Sequence, residues 1–212
     1  MNAYASEINN KEFLDTIQRM ALVAQYRTPN IEAHIERIRR YTYTLALGMD
    51  LSGEAALTIS YASQLHDIGE AGVPQSILAK AGELSAYDWE IVKRHTTTGA
   101  EMLSGSNSTL LQTAEMIALT HHERWNGSGY PKGLRGEAIP ISGRITALAD
   151  VFDALTTARA YKKETLPLVK AKKLILESSN ELFDHELIGV FAENFDELAN
   201  IHHTYKDRTP AA

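Results

Sequence analysis

The chain has 212 residues, of which 44% are hydrophobic and 23% charged, with 13 Gly, 6 Pro and no Cys. This is the make-up of a globular protein able to bury its own core, and it excludes a low-complexity, collagen-like or disulfide-stapled chain as well as thiolate metal sites, iron–sulfur clusters and cysteine nucleophiles. With 21 basic against 27 acidic residues and a formal charge of −6, a broad electrostatic footprint for a DNA or RNA duplex is excluded too, and an anionic partner would need local positive charge.

Apolar residues recur at helical spacing nearly throughout, and no convincing run alternates strictly, so the expected fold class is all-α, a compact helical bundle. The N-terminal MNAYASEINNKEF lacks the basic and apolar regions of a signal peptide. No apolar run approaches the ~20 residues of a membrane span. The expectation is a soluble, cytoplasmic protein. Residues 1–27 carry Leu14, Ile17, Ala21 and Ala24 on one helical face, which would pack against the bundle, pair with a second copy in a homodimer, or continue from an upstream domain. Pro29 and Asn30 break the chain before a helix that starts near Ile31 and carries the stripe Ile31, Ile35, Ile38, Leu45 and Met49. Ser52 is an N-cap candidate for a helix over 53–68, and Ser85 with Asp88 resembles a capping box. Further helices are expected over 108–122, 141–157 (with Ile145, Leu148, Phe152 and Leu155), 167–179 and 185–203. Between them, 127–140 (GSGYPKGLRGEAIP) holds four Gly and two Pro. It cannot continue a helix, and a loop of this length is a candidate for lining a site. The expected organisation is an N-terminal helix or linker over 1–27, one domain over 28–205 and a tail over 206–212.

Five of the eight His fall into a pattern with two Asp: His34, His66 with Asp67, His95, His121 with His122, and Asp150. Successive positions lie 26 to 32 residues apart, each about one helix plus its connection, so successive helices could deliver ligands to one centre. Imidazole and carboxylate without thiolate suit a binuclear Fe or Mn centre, and seven side chains exceed the needs of a single ion. The adjacent pair His66-Asp67 would sit about 100° apart on a helix, so both reach one cluster only at a helix end or kink, and Gly69 is a candidate for that end. The alternative is that each histidine is merely packed or solvated, as His185 and the dyad His202-His203 are read to be. Joint spacing is what sets the other five apart.

These residues resemble the HD-GYP family, a branch of the HD phosphohydrolases, over roughly 28–200. The resemblance rests on HIER at 34–37, HDIGE at 66–70, HTTTG at 95–99, HHERWNGSGYP at 121–131, IPISGRI at 139–145, DVFDAL at 150–155 and RAYK at 159–162. It implies a helical bundle holding two or three iron or manganese ions and hydrolysing cyclic di-GMP to the linear dinucleotide, sometimes onward to GMP, in bacterial signalling. It also implies an upstream sensory domain or a GGDEF-type partner protein. Carried over by position, His34, His66, Asp67, His95, His121, His122 and Asp150 match the family's metal ligands, with Asp67 in the bridging place. Tyr130, Arg159 and Lys162 match residues used near the dinucleotide. Tyr offers a ring for stacking, Arg a planar fork and Lys a mobile point charge.

Departures from the family pattern are specific. Glu70 stands where HDIGK carries Lys, as an extra ligand, a proton shuttle beside Asp67 in catalysis, or an exposed helix-end residue. Asn30 stands where three-metal members tend to carry Glu; it is a poorer cation ligand and equally an N-cap, so two divalent ions are expected. Asn126 and Ala160 replace a common Asp and Pro. Two further readings stay open: a non-catalytic module that binds metal or cyclic dinucleotide and acts through protein contacts, and an enzyme acting on a cyclic GMP-AMP dinucleotide.

Overall fold

The computed structural model describes residues 10–26, 30–80, 82–158 and 164–207. Among them the chain forms eleven α-helices joined by turns and loops, with no strand. They are α1 (Lys11–Ala24), α2 (Ile31–Gly48), α3 (Gly53–Ala62), α4 (Gln75–Leu78), α5 (Ala86–Lys93), α6 (His95–Leu103), α7 (Thr109–Thr120), α8 (Ile141–Thr156), α9 (Leu168–Glu177), α10 (His185–Glu193) and α11 (Phe195–Thr204). No helix of the described residues is long and apolar enough to cross a membrane.

The centre of the bundle is α2, which packs against α3, α8 and α11. Its stripe of Ile35, Ile38, Tyr41 and Leu45 is fully buried, and Tyr41 meets Phe152 of α8 edge-on with ring centroids 5.2 Å apart. On the other side α7 packs on α3, α6 and α8. Of the three roles open to the N-terminal face, packing is the one observed. Ile17 and Ala21 of α1 are buried in the common core, and α1 lies on the turns that follow α3.

Local chemistry explains most helix starts. Ser52 accepts from Ala55 N, and Ser85 and Asp88 form the expected capping box. Three expectations need correction. The helix expected over 53–68 stops at Ala62 and tightens into 3-10 turns at Ser63–Leu65 and Ile68–Gly72. The single helix expected over 185–203 is broken at Asn194, whose side-chain amide donates to Val190 O at 2.9 Å while its own carbonyl accepts from Leu198 N and starts α11; an Asn side chain competes with the helix ladder in this way. Asn30 occupies the N-cap position of α2, but its side chain caps nothing. It takes a left-handed backbone (φ 59°), which Asn tolerates better than most residues.

Candidate metal centre

Each candidate ligand sits where a helix begins, ends or is interrupted, apart from Asp150 within α8. His34 is in the first turn of α2, His95 opens α6, and His121 is the C-cap of α7 with His122 following it. His66 and Asp67 lie between the two 3-10 turns. Asp67, at φ −102° and ψ 17°, has left helical geometry, so two adjacent side chains can face one point. Gly69 does not act as a C-cap. A Cβ there would stand 1.9 Å from the His95 carbonyl oxygen and 2.5 Å from Gly99 N, so its lack of a side chain lets α6 lie directly on the His66-Asp67 turn. Gly129 and Gly143 permit equally close approaches, to the His122–Arg124 backbone and to Thr120.

The seven side chains converge in two groups, Asp67 with His95, His121 and His122, and His34 with His66 and Asp150. Within each group one ligand atom per residue lies within 4.8 Å of the others. Asp67 spans both groups. Its Oδ1 is 3.3 Å from Nε2 of His95 and of His121, and its Oδ2 is 3.1 Å from Nε2 of His66. His185, His202 and His203 belong to neither group.

The ring nitrogens facing away from the centre are committed. His66 Nδ1 contacts Ser63 O at 2.9 Å, His95 Nδ1 contacts Val92 O at 2.6 Å, and His121 Nδ1 contacts Ile117 O and Ala118 O at 3.0 and 3.1 Å. Carbonyls only accept, so each Nδ1 carries a proton, and in the neutral ring Nε2 presents a lone pair to the centre. Two such atoms, Nε2 of His95 and His121, stand 3.3 Å apart, and the buried Nε2 of His66 makes no hydrogen bond in spite of its nearness to Asp67. Converging lone pairs with an orphaned buried nitrogen fit a cation, and the thiolate-free donor set suits a harder transition metal.

The electrostatics agree. Burial is the largest single influence on every group here and disfavours charge. For His66 it is outweighed by Asp67, with help from Asp150 and the Ser63 carbonyl, and the pKa is pushed up to about 9. His95 is raised against burial by Asp67, the Val92 carbonyl and Glu70. His121 is lowered, and His122 is driven well below its ordinary value, by burial and then by neighbouring imidazoles. Asp67 is held well below the usual carboxylate range, because His66, His121 and His95 together overcome its burial. Positive charge is thus favoured beside Asp67, on His66 and His95, and disfavoured on His121 and His122, which leaves those two in the neutral form that a metal ligand needs.

Three supporting residues have roles that sequence reasoning did not anticipate. Asp153, one turn after Asp150, accepts from His34 Nδ1 at 2.8 Å and from Arg37 Nε and Nη2 at 2.5 and 3.0 Å. Both Arg37 and Asp153 have side chains 1% exposed. Glu123, also buried, accepts from Lys132 N at 2.8 Å and Leu134 N at 3.0 Å and so ties the glycine-rich loop to the segment bearing His121 and His122. The available signal was helical spacing: Arg37 and Asp153 each stand three residues after a candidate ligand.

Tyr130 stacks on His122 with ring centroids 4.8 Å apart and an interplanar angle of 26°, which puts the loop's aromatic against the centre. Lys93 Nζ lies 5.7 Å from the Tyr130 centroid. Glu70 is half-buried in the Ile68–Gly72 turn, and its charge adds to the raised pKa of His95. Arg159 and Lys162 lie outside the described residues.

A family model described as an HD domain matches residues 9–187. The cyclic di-GMP phosphodiesterase of Thermotoga maritima is 40% identical over 198 residues, which cover 93% of this chain and 54% of that protein. The 3'3'-cGAMP-specific phosphodiesterase 2 of Vibrio cholerae is 39% identical over 193 residues, covering 91% of this chain and 37% of that protein. The chain therefore spans about half the length, or less, of these curated relatives. Among solved structures, the HDG"Y"P protein Bd1817 from Bdellovibrio bacteriovorus superposes with a TM-score of 0.63 at 18% identity, covering 92% of this chain and 68% of that one, a likeness of fold.

Proposed function

The chain belongs to the HD-domain family, and on that premise we propose that it is a metal-dependent phosphodiesterase that hydrolyses cyclic di-GMP to the linear dinucleotide. The observation that carries this reading is the pair of donor groups sharing Asp67. We assign His34, His66 and Asp150 to one divalent ion and His95, His121 and His122 to a second, with Asp67 serving both. Fe or Mn suits these donors, and Asn30 argues for two ions, since an amide is a weak third-site ligand.

Bound divalent ions supply Lewis-acid charge at a phosphodiester and make a water-derived nucleophile available near neutral pH. Two of them would bring four positive charges against the two negative ones of Asp67 and Asp150, giving an anion-attracting pocket in an acidic chain. Within that pocket Asp67 joins the two groups, and Glu70, three residues on, is assigned the movement of a proton to or from the reacting oxygen. Tyr130 presents a ring at the centre's edge for a base. Arg159 and Lys162 are proposed as the cations that hold the dinucleotide phosphates. The proposed catalytic unit spans 28–205, with the preceding helix docked on it. A cytoplasmic setting, a homodimer, and regulation through a sensory domain or a GGDEF-type partner are parts of the same proposal.

A second substrate has specific support. The Vibrio cholerae relative is named for 3'3'-cGAMP and is almost as similar as the Thermotoga maritima one, so a cyclic GMP-AMP dinucleotide is the alternative. Anaerobic purification with Fe(II) or Mn(II), metal analysis and parallel chromatography of digests of both dinucleotides test the reading. Two ions per chain with linear product are expected, and Asp67→Ala is expected to lose metal and turnover together. Unchanged metal content and turnover in that variant would reject the assignment.

A further inference from the structure

Behind His34 a line of charge runs through the protein to the chain that follows the last helix. The facing sides of α2 and α8 each carry two of these side chains one turn apart, His34 with Arg37 and Asp150 with Asp153. His34 and Asp150 belong to one donor group, and Arg37 and Asp153 stand behind them. Asp153 uses only part of the Arg37 fork. The remaining nitrogen, Nη1, donates to Tyr205 O at 2.7 Å and to Asp207 Oδ1 at 2.8 Å. The Tyr205 ring is held in turn under the Arg40 guanidinium, 4.3 Å from its centroid. Arg37 is buried, whereas the Asp207 side chain is 23% exposed, so a carboxylate at the surface closes a buried network from outside.

A buried guanidinium is stable only while its donors are satisfied. Without Asp207, Nη1 loses its charged acceptor and keeps only the Tyr205 carbonyl, so the fork that holds Asp153 is less firmly fixed. Asp153 is what holds the His34 ring, and the ring's orientation aims Nε2 at the centre. The buried histidines of the other group, His95 and His121, hang instead on the carbonyls of Val92, Ile117 and Ala118, which this network does not touch.

We infer that residues 205–207 form a positioning element for His34, acting through Arg37 and Asp153, so that cation binding at the His34, His66 and Asp150 group depends on this segment while binding at the other group does not. The inference rests on the proposed metal centre and adds to it an asymmetry between the two sites, with a surface carboxylate as the point from which one of them can be loosened.

The test is a titration of the metal-free full chain with Mn(II), followed by calorimetry and electron paramagnetic resonance. Asp207→Ala is expected to weaken one of two Mn(II) sites by on the order of ten-fold, the lower end of what outer partners of metal ligands are worth, and to leave the other site unchanged. Asp207→Glu should restore the affected site. Adding Asp207→Ala to His34→Ala should weaken binding no further than His34→Ala alone, because both substitutions act on one site. Two unaltered sites in Asp207→Ala, or equal weakening of both, would overturn the inference while leaving the metal centre standing. A parent protein that takes up no Mn(II) would overturn the metal centre itself and this inference with it, a result visible before any substitution is made.

Discussion

His34 donates from Nδ1 to Asp153 across 2.8 Å, a bond between residues 119 apart in the chain. It makes one buried carboxylate both the orienting partner of a candidate ligand and the counter-charge of Arg37. Asp153→Asn keeps the shape and removes the charge, leaving a buried guanidinium without its main partner. Losing one member of such a pair costs roughly 3–5 kcal/mol, so thermal unfolding should fall by roughly 6–20 °C. Acid sensitivity should change too. Asp153 is buried, which by itself would raise its pKa, but His34 and Arg37 hold it far below the ordinary 3.8. Its stabilising contribution is therefore present above the ordinary carboxylate range and lost as pH falls through the lower folded value. Acid titration followed by circular dichroism should show the parent resisting low pH better than the variant.

The metal-free centre should respond to pH in the opposite sense. The pKa of His66 rises from an ordinary 6.5 to about 9 in the folded chain, so the native state holds a proton that the unfolded state releases. That contribution to stability is complete below pH 6.5 and disappears as pH rises through about 9. The same proton competes with a cation for Nε2. Melting curves of the metal-free protein should move downward between pH 6.5 and 9, while Mn(II) affinity climbs over the same interval, with proton release measurable by calorimetry in buffers of different ionisation enthalpy. A Mn(II) affinity that does not vary with pH would count against His66 as a ligand.

Gly69 offers a purely steric test. The alanine methyl in Gly69→Ala would meet the His95 carbonyl at 1.9 Å, and backbone on both sides cannot yield as a side-chain tip would. Overpacking of this kind should cost about 3 kcal/mol or more, read as a fall of roughly 6–12 °C in the melting temperature. Because the displaced element carries His95 at its first residue, metal affinity should fall with stability. By contrast, Gly53→Ala, where a Cβ would meet nothing within 4 Å, should leave both unchanged.

Glu70→Lys separates the enzyme from a binding-only module. The parent is expected to hydrolyse cyclic dinucleotide, and the variant, with a cation in place of the proposed proton carrier, to show a lower kcat together with a KM lower by roughly two- to five-fold, as expected of one partly exposed charge contact. A parent that binds dinucleotide without turnover, joined to a variant that gains hydrolysis, would reject the enzyme reading.

Much of this protein is legible in its sequence. The all-α class follows from spacing that repeats every three or four residues. The caps at Ser52 and Ser85 follow from hydroxyl and carboxylate side chains beside a helix start, and the seven His and Asp stand out by type and interval. Each of these signals is local, or repeats with a local period, so a linear reading can find it.

What folding alone decided concerns which partner satisfies which group. That the helix must end or kink at His66-Asp67 is legible in the chain, but nothing near His66 foretells that 3-10 turns make the break and turn Asp67 toward three histidines. Nor does the neighbourhood of Arg37 reveal that its fork will be shared between Asp153 and the chain at Tyr205 and Asp207. Chemical type and spacing by themselves determined the kind of ligands present and that they could meet. Their division into two groups joined by one carboxylate, and the support behind His34, were decided by tertiary structure, because burial makes most donors and acceptors find a partner and only the packed fold determines which partners are within reach.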